Sequence, residues 1–151
     1  MTDTAVFPVF SFPMSTSHKN KTFATLLAAV LGVVGVHRFY MGRATDRLGL
    51  LHVASLPMAG LIVGLAPGAN WFYKILPLLV SALMAIIEAL VIGLTPDEKW
   101  DAAMNPASGQ RSASNWPLAL LLVATTMAGA TLAIAVLARL FDLLYTGGAY
   151  G

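Results

Sequence analysis

Residues 116–140 read WPLALLLVATTMAGATLAIAVLARL, and the only charged residue in this stretch is Arg139, close to its end. A helix needs about 20 mostly apolar residues to cross a bilayer core roughly 30 Å thick. Trp116 stands at one end of the stretch, where aromatic side chains collect at the membrane–water interface. The sequence therefore predicts a transmembrane helix over residues 116–142.

The whole chain is poor in charge. It is 58% apolar and 11% charged, whereas a soluble domain carries about 25% charged residues to cover its surface. The lack of cysteine excludes disulfides, thiolate metal sites and a cysteine nucleophile. A net charge of +2 without a basic, aromatic-rich stripe argues against nucleic acid as a partner. The lipid bilayer is the predicted surrounding.

Three more hydrophobic segments precede residue 116, at Thr22–Tyr40, Leu48–Ala66 and Trp71–Leu94. The second contains Pro57 together with Gly60 and Gly64, so it is predicted either to span with a kink or to form a broken, re-entrant hairpin. The predicted fold class is an all-α, polytopic helical membrane protein with about four hydrophobic segments.

A short interfacial helix is predicted between the third and fourth segments. Thr95-Pro96-Asp97-Glu98 has the form of a capping box with proline in the first helical position. The helix would run to about Met104, with Trp100 anchored at the level of the lipid headgroups; the alternative is an ordinary linker. The predicted organisation is a flexible tail (1–18), a membrane domain (19–95), a polar loop with the interfacial helix (96–115), an additional transmembrane helix (116–142) and a C-terminal tail (143–151).

Small residues recur at every fourth position in two segments. These ladders are Ala24, Ala28 and Gly32 in the first segment and Thr125, Gly129 and Ala133 in the fourth. Helices in lipid associate through close packing of small faces, because no water-driven force acts between them. The ladders are candidate contact faces, within the chain or towards a second copy or another membrane protein; chance spacing in an Ala- and Gly-rich sequence is the alternative.

The most distinctive motif closes the first segment. It is Gly35-Val36-His37-Arg38-Phe39-Tyr40-Met41-Gly42. The run resembles the G-x-H-R-F-Y-x-G signature of the TM-two domain family, met in bacteria as NINE-type proteins, with matches at Gly35, His37, Arg38, Phe39, Tyr40 and Gly42. The resemblance extends over about Lys19 to Leu94, although Glu88 stands where the family carries an Asp and no Trp closely precedes it. It implies embedding in a membrane, expected to be the bacterial inner membrane, and it supplies no reaction.

Glu88 lies inside the third segment, where an ionisable residue costs about 2.5 to 3.5 kcal/mol and usually has a partner. It precedes Thr95 by seven residues, which places it about 10 Å below that face of the membrane. Arg38 could reach down to it with its long side chain. We predict a polar cluster of Glu88 with Arg38, joined by His37 or His52. One interpretation is that the cluster locks the helices together, and the other is that Glu88 exchanges a proton or cation.

No catalytic, cofactor or metal site is predicted. The sequence shows no nucleophile with a base, no phosphate-binding glycine loop and no paired carboxylates, and two histidines without carboxylate or thiolate company make a poor metal site. The expected function is a non-enzymatic scaffold or accessory membrane protein of the TM-two type. The alternative is a small oligomeric ion or proton transporter or channel subunit that uses Glu88.

The orientation follows only weakly from the sequence. If all four segments cross, five basic residues lie on one face and four on the other, so the positive-inside rule barely discriminates. The five are Arg38, Arg43, Arg47, Lys99 and Arg111, and the four are Lys19, Lys21, Lys74 and Arg139. The cluster of arginines at 38–47 favours a cytoplasmic position for that loop, with both termini outside.

Overall fold

The computed structural model describes residues 18–42 and 46–150, and within these residues all regular structure is helical. The helices are α1 (Lys21–Leu31), a 3-10 turn (Gly32–Val34), α2 (Val36–Tyr40), α3 (Arg47–Leu65), α4 (Trp71–Leu94), α5 (Asp97–Met104) and α6 (Trp116–Tyr145). The predicted all-α membrane fold is confirmed. The predicted N-terminal tail lies outside the described residues, except for His18.

Three helices, α3, α4 and α6, are long and apolar enough to cross a membrane. Each begins at a side-chain cap, because Asp46, Asn70 and Asn115 accept hydrogen bonds from backbone N–H groups of the first helical turn. The second hydrophobic segment forms a single helix, α3, which continues through Pro57. Of the two predicted alternatives, the structure therefore excludes the broken hairpin.

The first hydrophobic segment does not cross; it forms a re-entrant hairpin, which we define as residues 19–42. At its start, the Lys21 ammonium donates to the carbonyl oxygen of Thr95 at 3.0 Å, at the end of α4. At its other end, the backbone N–H of Asn20 donates to the Tyr40 hydroxyl at 3.0 Å, and the Lys19 ammonium donates to the Met41 carbonyl at 2.7 Å. Both ends of the segment therefore lie on the same side of the membrane.

The chain reverses at Gly35, whose φ of 74° is in the left-handed region that glycine adopts readily. A Cβ at this position would stand 3.0 Å from the carbonyl oxygen of Gly49 on α3. The 11 residues of α1 extend about 16 Å, roughly half the bilayer core. The expectation that Lys19 and Lys21 lie on the opposite face from Arg38 is wrong, because it assumed a crossing where the glycines permit a reversal.

Both small-residue ladders pack against α4 of the same chain. Ala24 and Ala28 are fully buried in a cluster with Ala89, Ile92 and Trp100. A Cβ on Gly32 would stand 2.5 Å from the Cβ of Ala85, and a Cβ on Gly129 would stand 2.5 Å from the Cγ2 of Ile86. Close approach of the helix backbones at these positions thus depends on the small residues.

The predicted short helix is present as α5, but two details of that prediction are wrong. The cap residue is Pro96, and the Thr95 hydroxyl instead donates to the Val91 carbonyl at 2.6 Å, within α4. Trp100 is 3% exposed, and its indole N–H donates to the Lys19 carbonyl at 3.0 Å. Trp100 therefore fastens α5 to the hairpin, and its side chain faces protein instead of lipid headgroups.

Candidate functional site

A polar cluster lies where the hairpin, α3 and α4 meet. The structure brings together the four residues named from the sequence, His37 and Arg38 on α2, His52 on α3 and Glu88 on α4. The exposed fractions of His37, His52 and Glu88 are 0%, 5% and 9%. After the turn at Gly35 the chain continues as α2, and this helix places Arg38 beside Glu88.

Arg38 binds Glu88 through two nitrogens. Its Nε donates to Glu88 Oε2 at 3.1 Å, and its Nη2 donates to Glu88 Oε1. Its Nη1 donates to Asp46 Oδ2 at 3.2 Å. A planar guanidinium matches two carboxylates in this way, whereas a lysine ammonium would not. Arg38 thereby joins α2, the start of α3 and the middle of α4.

The two histidines contact the same carboxylate. His37 Nε2 is hydrogen-bonded to Glu88 Oε2, and His37 Nδ1 is buried without a hydrogen-bond partner among the described residues. His52 Nε2 lies 3.4 Å from Glu88 Oε2. On its other side, His52 Nδ1 lies 2.7 Å from the hydroxyl of Ser81, which donates to the Val33 carbonyl at 2.7 Å.

Sequence reasoning missed Asp46 and Ser81. Asp46 could have been recognised, because an acidic residue directly before a hydrophobic segment is a typical helix cap and stands eight residues after Arg38. Ser81 carries no such signal, since a serine in a span usually bonds its own helix backbone. Only the tertiary structure places it between His52 and the turn of the hairpin.

Ser81, His52 and Glu88 lie in a row, as in a hydrolytic triad, but the hydrogen bonds exclude that chemistry. A serine hydroxyl has one hydrogen, and Ser81 donates it to the Val33 carbonyl. The hydroxyl must therefore accept from His52 Nδ1, so His52 does not act as a base towards Ser81. The arrangement orients an imidazole and does not activate a nucleophile.

A second polar cluster, outside the spans, closes the hairpin against α5 and the following loop. Lys21 is 4% exposed and binds the carboxylate of Asp97, as well as the Ser114 hydroxyl at 2.7 Å. The hydrogen bond from Lys21 lowers the pKa of Asp97. Hydrogen bonds from the side chain and backbone of Ser112 lower the pKa of Asp101 to about 2.

Two cavities border Glu88 from different sides. One, of about 370 Å³, lies between α3 and α4 and is lined mainly by apolar side chains, with His52, Ser81 and Glu88 among the polar residues. The other, of about 400 Å³, lies against α5 and is lined by Arg38, Glu88 and Lys99 together with apolar residues and Trp100. The carboxylate is thus buried and yet adjacent to open space.

The comparisons with known proteins identify part of the chain. Residues 17–66 match the family model described as the TM2 domain. No curated protein and no solved structure matches the chain. The matched residues include the signature at Gly35–Gly42 and end before α4, so Glu88 lies outside the match. The chain is an integral membrane protein by its three long apolar helices, and its residues 17–66, which comprise the hairpin and α3, are similar to the TM2 domain.

Proposed function

We propose that this chain is a non-enzymatic scaffold or accessory protein that acts through helix–helix contacts within a membrane, with a second copy or another membrane protein as partner. The observation that carries the proposal is a helix bundle joined by a buried polar cluster, in which one helix keeps an exposed face that another helix could approach closely. The lipid bilayer is its expected surrounding, and the bacterial inner membrane its expected location.

The polar cluster joins the helices of the bundle. Glu88 receives donors from Arg38 and His37, and Arg38 also binds Asp46. Buried ionic groups that are fully paired can fix one arrangement of helices. A carboxylate held in this way suits a structural role.

The open face lies on α3. Within the described residues, nothing lies within 4 Å of where a Cβ on Gly60 or Gly64 would stand. The large side chains around them are exposed, with Leu61 at 61% and Leu65 at 83%. Since the two small-residue ladders are occupied within the chain, this face of α3 is where another helix could approach most closely.

Crosslinking tests the proposal, because the chain has no cysteine of its own. A single cysteine at Leu61 on α3 is expected to crosslink in native membranes to a second copy or to a defined membrane protein. Ile134→Cys is the matched control, because Ile134 on α6 has a similar exposure of 68%. Gly60→Leu should abolish the crosslink while the chain stays folded. Equal crosslinking at the two cysteines, or none at either, would contradict the proposal.

A second candidate is a small oligomeric ion or proton transporter or channel subunit. The position of Glu88 between two cavities favours it, whereas the two-nitrogen contact with Arg38 argues against easy exchange of a proton at that carboxylate. Ion and proton flux into vesicles that contain the protein, with Glu88→Gln as the comparison, decides between the candidates. A flux that depends on Glu88 would favour transport over the scaffold role.

A further inference from the structure

We propose that His37, His52 and Glu88 form a binding site for a divalent transition-metal ion such as Zn²⁺. The ligands would be the Nε2 atom of each imidazole and one carboxylate oxygen of Glu88. This inference concerns the cluster alone and does not depend on the scaffold role.

The first argument is the chemistry of the donor atoms. Two imidazoles and one carboxylate, from α2, α3 and α4, are buried together in the cluster. Histidine nitrogen and carboxylate oxygen are both common ligands of zinc.

The second argument is the orientation of His52. Because the single hydroxyl hydrogen of Ser81 goes to the Val33 carbonyl, Nδ1 of His52 carries a hydrogen and donates to Ser81. In the neutral ring, Nε2 is then a bare lone pair, and it faces a carboxylate oxygen at 3.4 Å. Two lone pairs at this distance repel each other unless a cation lies between them. A metal-binding histidine is typically held in this way, with its other nitrogen donating to an oxygen.

The third argument is geometry. The three candidate ligand atoms lie within 4.8 Å of one another, and all three residues are buried. Zinc binds histidine nitrogen and carboxylate oxygen at about 2.0 to 2.2 Å, which places the ligands of a tetrahedral ion about 3.3 Å apart. The separation of His52 Nε2 and Glu88 Oε2 matches this spacing.

His37 completes the set of ligands. Its Nδ1 has no hydrogen-bond partner among the described residues, so no contact opposes a shift of the ring hydrogen from Nε2 to Nδ1. Binding of the metal would replace the hydrogen bond between His37 Nε2 and Glu88, with the hydrogen on Nδ1 and the lone pair of Nε2 on the ion. The cavity between α3 and α4 borders His52 and Glu88 and leaves room for a fourth ligand.

The test uses the full chain, purified in detergent without a polyhistidine tag and titrated with Co²⁺ as a spectroscopic substitute for Zn²⁺. We expect one Co²⁺ per chain, with the intense visible absorption of a four-coordinate ion, and displacement by Zn²⁺. His37→Ala and His52→Ala should each weaken binding at least about tenfold, since each removes a ligand. His18→Ala is the matched control, because His18 bonds Ser108 in the part-buried cluster outside the spans, and it should leave binding unchanged.

Ser81→Ala separates the proposed site from a general requirement for folding. It keeps all three ligands and removes only the oxygen that orients His52, so affinity should fall by about 10- to 100-fold with unchanged elution in size exclusion. If the histidine variants do not fold, pulsed electron paramagnetic resonance on wild-type protein with Cu²⁺ must show two coupled imidazoles. Absence of binding in the wild type, binding that the His37 and His52 variants leave unchanged, or fewer than two coupled imidazoles would overturn the proposal.

Discussion

At the scale of single residues, Glu88 on α4 is contacted from two other helices. Arg38 and His37 reach it from α2, His52 reaches it from α3, and Glu88 itself lies on α4. Asp46 shares the guanidinium of Arg38. The removal of one group thus changes the surroundings of several charges.

The Arg38–Glu88 pair predicts a non-additive double-mutant cycle. Arg38→Ala and Glu88→Ala should each destabilise the chain by about 3 to 5 kcal/mol, because the remaining charge is buried without its partner. The double variant should lose less than the sum of the two. Thermal unfolding in detergent, followed by size exclusion, measures all three. A loss in the double variant equal to the sum of the two single losses would show that the pair has no coupling.

At the scale of elements, α4 is the centre of the fold. The hairpin packs on it through Ala24, Ala28 and Gly32, and α6 packs on it through Gly129. α3 lies beside α4, and the apolar cavity of about 370 Å³ lies between them. Contacts with α4 therefore decide how the other helices are placed.

Gly32→Ala is expected to destabilise the hairpin. Its new methyl group would meet the Cβ of Ala85 at 2.5 Å, and a Cβ cannot rotate away. Overpacking of this kind costs about 1 to 3 kcal/mol. Ala85→Gly should restore stability in the double variant. Gly64→Ala, which meets nothing within 4 Å, is the control; an equal loss there would contradict the packing argument. Thermal unfolding of the four variants measures the effect.

Docking of α5 should weaken in acid. The pKa of Asp97 is lowered by its hydrogen bond with Lys21, and that of Asp101 is lowered to about 2 by Ser112. A carboxylate with a lowered pKa stabilises the folded state above its unfolded pKa, and this contribution is lost as the pH falls through the folded value. The protection of backbone amides in residues 97–115 against hydrogen exchange should therefore fall as the pH is lowered from about 4 to 2.

The variant Asp97→Asn should lower this protection near neutral pH. It should also make the protection depend less on pH in acid, since the group that titrates is gone. Glu98→Gln, at an exposed acid on the same helix, is the control and should behave as the wild type. An equal loss of protection in acid in Asp97→Asn would assign the acid response to another group.

At the scale of the whole molecule, the hairpin changes the distribution of charge across the membrane. Because residues 19–42 begin and end on one face, six basic residues of the described chain lie on that face and two on the other. The six are Lys19, Lys21, Arg38, Arg47, Lys99 and Arg111, and the two are Lys74 and Arg139. The positive-inside rule now discriminates clearly.

We therefore expect the face that carries α5 and residues 105–115 to be cytoplasmic. A reporter inserted at Gly109 should be active in the cytoplasm, and one fused after Tyr150 should be active on the other side, because three crossings separate the hairpin from the end of α6. A cytoplasmic signal from both positions would contradict the crossing of α6, the span that separates them.

The sequence by itself determined the class of protein and most of its helices. Long uncharged segments need a lipid surrounding, and the segments predicted to begin at Trp71 and Trp116 are the helices α4 and α6. It also indicated that an acid inside a span needs a basic partner, and Arg38 was the residue within reach.

Only the tertiary structure decided the path of the first segment and the composition of the cluster. Hydropathy reports how apolar a segment is and not whether the chain reverses within it, and the reversal depends on Gly35 fitting against α3. The distances from His52 to Glu88 and Ser81 depend on how α3 packs against α4, which no local pattern contains. The sequence predicted that His37 or His52 would join Glu88, and the structure places both beside it.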